Sequence, residues 1–455
     1  MATKPKIKTL TNSSVDILNA IRNNASTNYR DYVPQATTDS DSIREIGAVI
    51  MDYPALQNEF LSALVNRIGR VILTSKSYDN PWTMFKKGML EFGESIEEVF
   101  VNIAKPFQFD PQVAESNVFK REIPDVRSAF HIMNYQKYYK ATISNEQLRQ
   151  AFLSIDGITD LIAKIVDAMY TGANYDEFQT MKYMLARHIL KGLMNPVTIP
   201  AINTANMNTI VSTIKGVSNK FTFLSSKNNL AGVMNHTPKM EQYLLVNSQF
   251  DATMNVEVLA SAFNMDRAEF DGHHVLVDSF GDLDIERLNI LFADDPTYVE
   301  IGTAELEALD AIPCVMVDKD WFMIFDNYQN FTEQYNGEGL YWNYWYHVWK
   351  TFSVSPFSNN ALFVAGTPAV KTVTVTPSTA TVSAGEQLQM NVTVDTENYA
   401  PQSVVWSIAE EDASASISST GMLKVNSDAL AGTITVKATS TFDSTKVGEA
   451  TITVA

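Results

Sequence analysis

The stretch from Asp318 to Val354 alternates apolar and polar residues in two runs that are separated by a glycine-containing turn. Asn336-Gly337 is a turn signal, and Gly339 adds backbone freedom. A period of two predicts a pair of antiparallel strands joined by a short loop. In the second run, one face carries Tyr341, Asn343, Trp345, His347 and Trp349, and the other carries Trp342, Tyr344, Tyr346, Val348 and Lys350.

A ribbon with aromatic residues on both faces needs cover on both sides, because large apolar patches are rarely left in water. Three interpretations remain open. The ribbon can be an ordinary sheet core, a platform on which carbohydrate stacks, or a sheet between its own domain and a neighbouring subunit. We predict that its tryptophans belong to the structural core, and these are Trp321, Trp342, Trp345 and Trp349.

Residues 1–75 are predicted to form an N-terminal arm with short helices. One helix begins near Ser14 or Asp16, and a second has apolar residues at helical spacing from Leu56 onward. The polar gap between residues 23 and 41 is predicted to be an extended arm, because a self-contained globule rarely separates two short helices in this way.

Residues 76–121 are predicted to form a long hairpin loop with a charged rim. Asn80-Pro81 opens the first run, Phe92–Ser95 is predicted to turn it, and Ile96 begins the return. A two-stranded hairpin is only marginally stable alone, so this one is expected to lie on its own domain or to reach onto a neighbour. The residues predicted to contact another subunit are Phe85, Lys86, Lys87, Glu97 and Glu98.

Residues 122–202 are the most helical part of the chain and are predicted to form one domain with a long helix. A stripe of apolar residues from Ile158 to Tyr170 predicts a helix that Gly172 ends. A further helix is predicted over Tyr175–Leu193, ended by Gly192 and Asn195-Pro196, and followed by a strand at Pro196–Pro200.

Residues 203–316 combine helices with short apolar strands, which predicts an α/β domain. The strands are expected at Tyr243–Val246 and His274–Val277, and a helix is expected near Asn255–Phe263. Residues 317–366 then contain the strands that return to the main body. The predicted fold class of this part of the chain is therefore α+β.

The composition changes after residue 366, because residues 370–455 are rich in Thr, Val and Ser and hold only three aromatic residues. Short alternating runs separated by turn signals predict a small all-β sandwich of immunoglobulin size. Trp406 occupies the position of its buried central tryptophan, and we expect this tail to fold separately from the body.

Charge and cysteine content exclude several classes of protein. Charged residues make up only 19% of the chain, which suits a protein whose surface is largely covered by partners, and the net charge of −18 argues against a general nucleic-acid binder. The single cysteine, Cys314, permits no intrachain disulfide, which is typical of a reducing cytosol. We find neither a secretory signal nor an apolar run long enough to span a bilayer.

No arrangement of residues predicts an active site. His273 and His274 lie near Asp278, but adjacent strand residues point to opposite faces and do not converge on a metal. The sequence contains no zinc-protease, phosphate-loop, dinucleotide or nucleophile-elbow motif. We therefore predict no enzyme activity, no catalytic, cofactor-binding or metal-binding residue, and no cofactor.

Several short motifs resemble those of the major capsid proteins of small short-tailed phages of the phi-29 kind. The motifs are Ile17–Arg22, Tyr32–Pro34, Asn80-Pro81, Phe85–Gly88, Ile96–Glu98, Leu259–Met265, Val317–Met323 and Gly339–Trp349. The tail resembles a bacterial Ig-like domain of group 2 at Val373–Pro377, Gly385, Val405–Ser407 and Gly421–Leu423. Residues 200–240 and 280–310 contribute no clear motif.

This resemblance implies the tailed-phage capsid fold of the Hong Kong 97 type. Residues 76–121 would then be its extended loop, residues 122–202 and 317–366 its peripheral domain, and residues 203–316 its axial domain. It also implies self-assembly into hexamers and pentamers of an icosahedral shell around double-stranded DNA, and the family supplies no catalytic residues.

The implied partners are further copies of the chain, portal and scaffolding proteins, and enclosed DNA that is not bound specifically. The implied location is the virion capsid, assembled in the host bacterial cytoplasm without a membrane. A second hypothesis is a cell-surface adhesin or carbohydrate-binding module that carries an Ig-like domain, and a third is a carbohydrate-active enzyme. The missing secretion signal and the lack of paired carboxylates beside the ribbon argue against these two.

Overall fold

The computed structural model of the chain describes residues 14–60, 63, 78–90, 95–110, 119–144, 157–257, 274–409 and 414–455. The chain divides into two compact units, each built from separate segments. The first consists of residues 1–95, 132–180 and 324–352, and the second of residues 96–131, 181–323 and 353–455. Within the described residues, no helix is long and apolar enough to cross a membrane.

The helices and strands follow in chain order. The helices are α1 (Ser14–Asn24), α2 (Thr27–Tyr32), α3 (Ser40–Asp52), α4 (Gly157–Leu190), α5 (Met207–Phe221), α6 (Ser248–Glu257), α7 (Ile285–Leu291) and α8 (Thr303–Asp310). The strands before the tail are β1 (Lys86–Met89), β2 (Ser95–Val101), β3 (Val126–Ile132), β4 (Tyr135–Ser144), β5 (Pro196–Ile199), β6 (Gln242–Asn247), β7 (His274–Val277), β8 (Cys314–Asp318), β9 (Phe322–Asn336), β10 (Tyr341–Val354) and β11 (Asn360–Ala365). The tail contains β12 (Ala369–Thr376), β13 (Thr379–Val382), β14 (Gln387–Gln389), β15 (Asn391–Glu397), β16 (Val404–Ile408), β17 (Ala415–Ile417), β18 (Met422–Val425), β19 (Gly432–Ser440) and β20 (Val447–Val454).

The first unit contains a four-stranded sheet in the order β1-β9-β10-β4. Strands β9 and β10 are the predicted aromatic ribbon, and β10 pairs antiparallel with β4 from Tyr341 opposite Ser144 to Lys350 opposite Tyr135. One face of β10 is buried against the N-terminal helices. The core on this side contains Trp342, Tyr344, Tyr346 and Val348 of the strand, and Leu18, Ile21, Ile43, Ile46 and Ile50 of the helices.

The predicted extended arm between residues 23 and 41 is wrong, because the chain folds back there. Helix α2 lies inside this gap, and its Tyr29 is buried. Arg22 Nε donates to the Val33 carbonyl at 2.8 Å, and Asn19 Nδ2 donates to the Ala36 carbonyl at 2.9 Å. The polar side chains of α1 thus donate hydrogen bonds to backbone carbonyls of the returning segment. These bonds join residues distant in sequence, so the polar composition of the gap does not predict them.

Helix α4 is continuous from Gly157 to Leu190, so the predicted stop at Gly172 is wrong. At 1.5 Å per residue its 34 residues extend about 50 Å. A glycine inside a helix costs roughly 1 kcal/mol, which the buried side chains that follow Gly172 can offset. The helix ends where the sequence also predicted an end, at Gly192, whose φ of +60° suits glycine.

The two runs of the predicted hairpin do not pair with each other. Strand β1 pairs in parallel with β9, with Lys86 opposite Ile324, whereas β2 pairs with β3 in a separate two-stranded sheet. The turn predicted around Phe92 lies outside the described residues. The extended ribbon of this part of the chain is therefore β2–β3.

The second unit contains a five-stranded sheet in the order β5-β11-β8-β6-β7, with parallel and antiparallel neighbours. The strands predicted at Pro196, Tyr243 and His274 are all present. Cys314 is fully buried in this sheet, beside apolar residues of α5 such as Ile210. The helix predicted near Asn255–Phe263 and the motif Leu259–Met265 fall largely or wholly outside the described residues.

The tail is all β, as its composition predicts. Its sheets have the orders β12-β15, β13-β20-β19-β16 and β14-β18-β17. Alternate residues of β19 and β20, including Ile434, Val436 and Ile452, form its buried core. Trp406 packs against this core, where the backbone of Gly421 approaches its ring, but it is only half-buried, which corrects the prediction of a buried central tryptophan.

Candidate functional site

The ribbon β2–β3 has one face that packs on its own chain. The Phe100 ring stacks on Phe357 with the ring centroids 5.5 Å apart. Asn102 Nδ2 donates to Asp125 Oδ2 at 3.1 Å across the end of the ribbon, and its Oδ1 accepts from the Met234 backbone at 3.2 Å. One face of the ribbon is thus held within the second unit.

A chain of polar contacts anchors the same face. His131 is only 2% exposed, and its Nδ1 lies 2.7 Å from Ser353 Oγ while its Nε2 lies 3.1 Å from Glu98 Oε2. Ser355 Oγ donates to Glu98 Oε1 at 2.7 Å. Serine, histidine and carboxylate follow one another as in a hydrolase triad, in which both imidazole nitrogens are likewise engaged, but here the ring is buried. The arrangement fits a structural anchor for the ribbon.

The opposite face of β2–β3 is apolar and exposed. Its strands present Val99, Val101 and Phe130 to solvent, and the chain beyond them adds still more exposed side chains. Phe109 is 88% exposed and Phe119 is 91% exposed. The full set is Val99, Val101, Ile103, Phe107, Phe109, Phe119, Ile123, Val126, Phe130 and Ile132. Exposed apolar side chains in this number are typical of a surface that a partner covers.

Four charges, of which Glu177 and Lys350 are buried and Lys86 and Asp326 partly exposed, join strands β1, β9 and β10 to helix α4. Lys86 Nζ lies 3.1 Å from Glu177 Oε2 and 2.8 Å from Asp326 Oδ2. Lys350 Nζ contacts Glu177 and lies 3.1 Å from Asp326 Oδ1. Burial and the nearby Lys86 hold the pKa of Lys350 well below its usual range. Each carboxylate thus bridges two lysines, which fixes the position of β1.

The residues predicted to contact a neighbour have different environments. Phe85 is fully buried, edge-on against Trp82, and Lys86 belongs to the charge cluster, so both make their contacts inside the protomer. Lys87 is half-buried, and Glu98 holds His131. Glu97 is exposed on the same face as Val99 and Val101. The structure corrects the expectation for Phe85 and Lys86, because contacts within the chain already surround them.

The predicted core tryptophans also separate into two groups. Trp321 and Trp342 are buried. Trp345 and Trp349 are only half-buried, because the alternation that buries Trp342 turns them to the outer face of β10. There Lys140 Nζ lies 5.7 Å from the Trp345 ring centroid, and the Tyr328 and Trp349 rings are 4.8 Å apart. The core prediction is therefore wrong for Trp345 and Trp349.

The outer face of β9, β10 and β4 is aromatic and contains no carboxylate, although the chain has 52 acidic residues. Its members are Tyr328, Asn330, Thr332, Gln334, Tyr341, Asn343, Trp345, His347, Trp349, Gln136, Tyr138, Lys140 and Thr142. Tyr138 is exposed, and its ring lies 5.8 Å from that of His347. We call these residues the outer sheet face.

Sequence reasoning missed Glu177, Asp326, His131 and Ser353. A signal was available for Glu177, because Asp176-Glu177 interrupts the apolar pattern of a long helix and a charge there must find a partner. For His131 and Ser353 the sequence offers no signal, since their contact joins distant segments. Among the described residues, no cluster of three or more histidine, cysteine or acidic side chains could hold a metal ion.

Comparison with known proteins identifies the chain. The model of the Phi29-like phage major capsid protein family matches residues 18–364, and that of the bacterial Ig-like domain of group 2 matches residues 369–454. This chain belongs to the Phi29-like phage major capsid protein family. It is a structural capsid protein with the tailed-phage capsid fold of the Hong Kong 97 type, followed by an Ig-like domain.

Related major capsid proteins align with nearly the whole length of this chain. The major capsid protein of Bacillus phage B103 is 37% identical and covers 97% of this chain and 94% of its own length. That of Bacillus phage PZA is 35% identical and covers 94% of this chain and 90% of its own length. The capsid structure of Staphylococcus phage Andhra shares the fold, with a TM-score of 0.51 and 15% identity over 65% of this chain and 86% of that one.

Proposed function

We propose that this capsid protein forms hexamers and pentamers of an icosahedral shell around double-stranded DNA, and that the outward face of β2–β3 contacts the next subunit. The observation that carries this proposal is the asymmetry of the ribbon. Its inward face, with Phe100, is held by its own chain, whereas Val99, Val101 and Phe130 face solvent. In the proposed shell, another copy of the chain covers this outward face.

The outer sheet face is the proposed second assembly surface. It is aromatic, half-exposed and free of carboxylates, so a neighbour can cover it without burying an unpaired negative charge. A contact between two different surfaces of identical subunits is heterologous, and such contacts form a ring when the rotation from one subunit to the next closes. Rings of this kind are the capsomers of a shell.

The remaining parts of the proposal follow from the family and from charge. The chain acts without catalysis or a cofactor, is assembled in the host cytoplasm, and works with portal and scaffolding proteins. Its net charge of −18 favours an inner wall that encloses DNA without binding it specifically. In this arrangement residues 122–202 and 317–366 are the peripheral domain and residues 203–316 the axial domain.

The test substitutes residues on the outward face and on the inward face of β2–β3 in separate variants. Val101→Ser together with Phe130→Ser removes apolar area from the outward face, and we expect unchanged thermal melting but no shells in electron micrographs. Phe100→Ser is the matched control on the inward face, and we expect it to lower the melting temperature because the contact with Phe357 is lost. Normal shells from the outward variant would contradict the proposal.

A further inference from the structure

The end of helix α4 is in close contact with a loop of the Ig-like domain. Gly192, just beyond the helix, has φ +60°, and a Cβ there would lie 2.5 Å from the Ala400 carbonyl oxygen and 3.2 Å from the Gln402 nitrogen. Ala400 is fully buried. Only glycine allows the loop between β15 and β16 to approach the helix end so closely.

This loop has an unusual backbone that its surroundings hold in place. Asn398 and Tyr399 have φ values of +50° and +60°, a left-handed conformation that is uncommon outside glycine. Asn398 Nδ2 donates to the Thr367 carbonyl at 2.9 Å, which ties the loop to the segment that enters the domain. The conformation directs Tyr399, Ala400 and Gln402 toward the body of the chain.

Two side chains of the loop donate to the ends of two helices. Tyr399 Oη donates to the Ala308 carbonyl in the last turn of α8 at 2.8 Å, and Gln402 Nε2 donates to the Leu190 carbonyl at the end of α4 at 3.4 Å. The last four carbonyls of a helix have no partner within it. Burial raises the pKa of Tyr399 to about 12. The loop thus satisfies backbone groups that would otherwise need water.

We propose that Asn398–Gln402 is a docking element that fixes the Ig-like domain to the ends of α4 and α8. The domain then moves together with this end of the long helix, and it is not merely tethered by the segment around Gly366. This goes beyond the shell-forming role, because it gives the domain one defined position in every copy of the chain. The recognised surface consists of two helix C-termini and the glycine that lets the loop approach.

The test compares two glycines of equal backbone conformation in the full-length protein. Gly192→Ala places a methyl group against Ala400, whereas Gly232→Ala, at φ +63°, meets nothing within 4 Å. Hydrogen exchange is followed by mass spectrometry in the segments 187–194, 306–312 and 396–403. We expect exchange there to accelerate at least tenfold in Gly192→Ala and to stay at the parent level in Gly232→Ala.

Undocking and unfolding are separated by two further measurements. Exchange in β19 and β20, the core of the Ig-like domain, should remain slow in Gly192→Ala if only the contact is lost. Tyr399→Phe removes a single donated hydrogen bond without adding bulk, and we expect a smaller acceleration in the segment 306–312. Unchanged exchange in both Gly192→Ala and Tyr399→Phe would overturn the proposal, as would equal acceleration in Gly192→Ala and Gly232→Ala.

Discussion

The ribbons β2–β3 and β9–β10 both alternate in sequence and both have two faces rich in apolar side chains, but their environments differ. The inner face of β9–β10 is covered by the N-terminal helices, so Trp342 and Tyr344 are core residues. In the part of the chain that the structure describes, the outward face of β2–β3 has no such cover, and Val101 and Phe130 remain exposed. Equal patterns can therefore be buried in one place and left exposed in another.

What separates the two ribbons is the structure that surrounds them. Strand β10 lies in a four-stranded sheet, where it pairs with β4 and is anchored by the buried charges around Lys350. Among the described strands β2 pairs only with β3, and two-stranded ribbons are marginal alone. The anchor at His131 and the stacking of Phe100 hold one face of β2–β3 and leave the other face available.

The largest effect is expected for the inner face of β10. Tyr344→Ala removes a buried ring, and we expect the free energy of unfolding of the unassembled protein to fall by about 3–5 kcal/mol. Phe130→Ala on the exposed face of β3 should change the free energy of unfolding by less than about 0.5 kcal/mol. Urea denaturation followed by circular dichroism measures both. Equal losses in the two variants would remove the distinction between the ribbons.

A smaller but still large effect is expected at the charge cluster. Glu177→Gln leaves Lys350 and Lys86 sharing one carboxylate, and breaking a buried ion pair costs about 3 kcal/mol. Glu97→Gln, on an exposed position, serves as the matched control and should be nearly neutral. Thermal melting compares the two variants. A Glu177→Gln protein as stable as the parent would mean that the cluster does not hold β1.

The smallest effect is a pH dependence where the aromatic ribbon begins. His188 packs edge-on against Trp321, with ring centroids 5.6 Å apart, and burial lowers its pKa. Below about pH 6.5 His188 binds a proton in the unfolded chain more readily than in the folded chain. The contribution of His188 to the free energy of unfolding is therefore present above that pH and is lost as the pH falls.

His188→Gln should therefore reduce the loss of stability between about pH 7.5 and about pH 5.5. Thermal melts at the two pH values measure the difference, and His236→Gln, at an exposed position, is the control. A slope that remains as steep in His188→Gln as in the parent would assign the acid sensitivity to other groups.

The sequence by itself determined the local elements whose signals are short-range. The alternation in 318–354 predicted β9, β10 and their turn, and the apolar runs at Tyr243 and His274 predicted β6 and β7. Gly192 was correctly predicted to end a helix, because a left-handed residue there is a local requirement. Motifs spread over most of the chain also identified the capsid family and the Ig-like tail.

Only the tertiary structure decided which face of each ribbon is buried and which strands pair. A period of two defines two faces but does not rank them, so Trp345 and Trp349 were assigned to the core although the N-terminal helices cover the opposite face. Strand β1 pairs with β9, and Lys86 of β1 forms ion pairs with Glu177 and Asp326 in this arrangement. Such partners are distant in sequence, and the free energy of burying them depends on contacts that no local pattern contains.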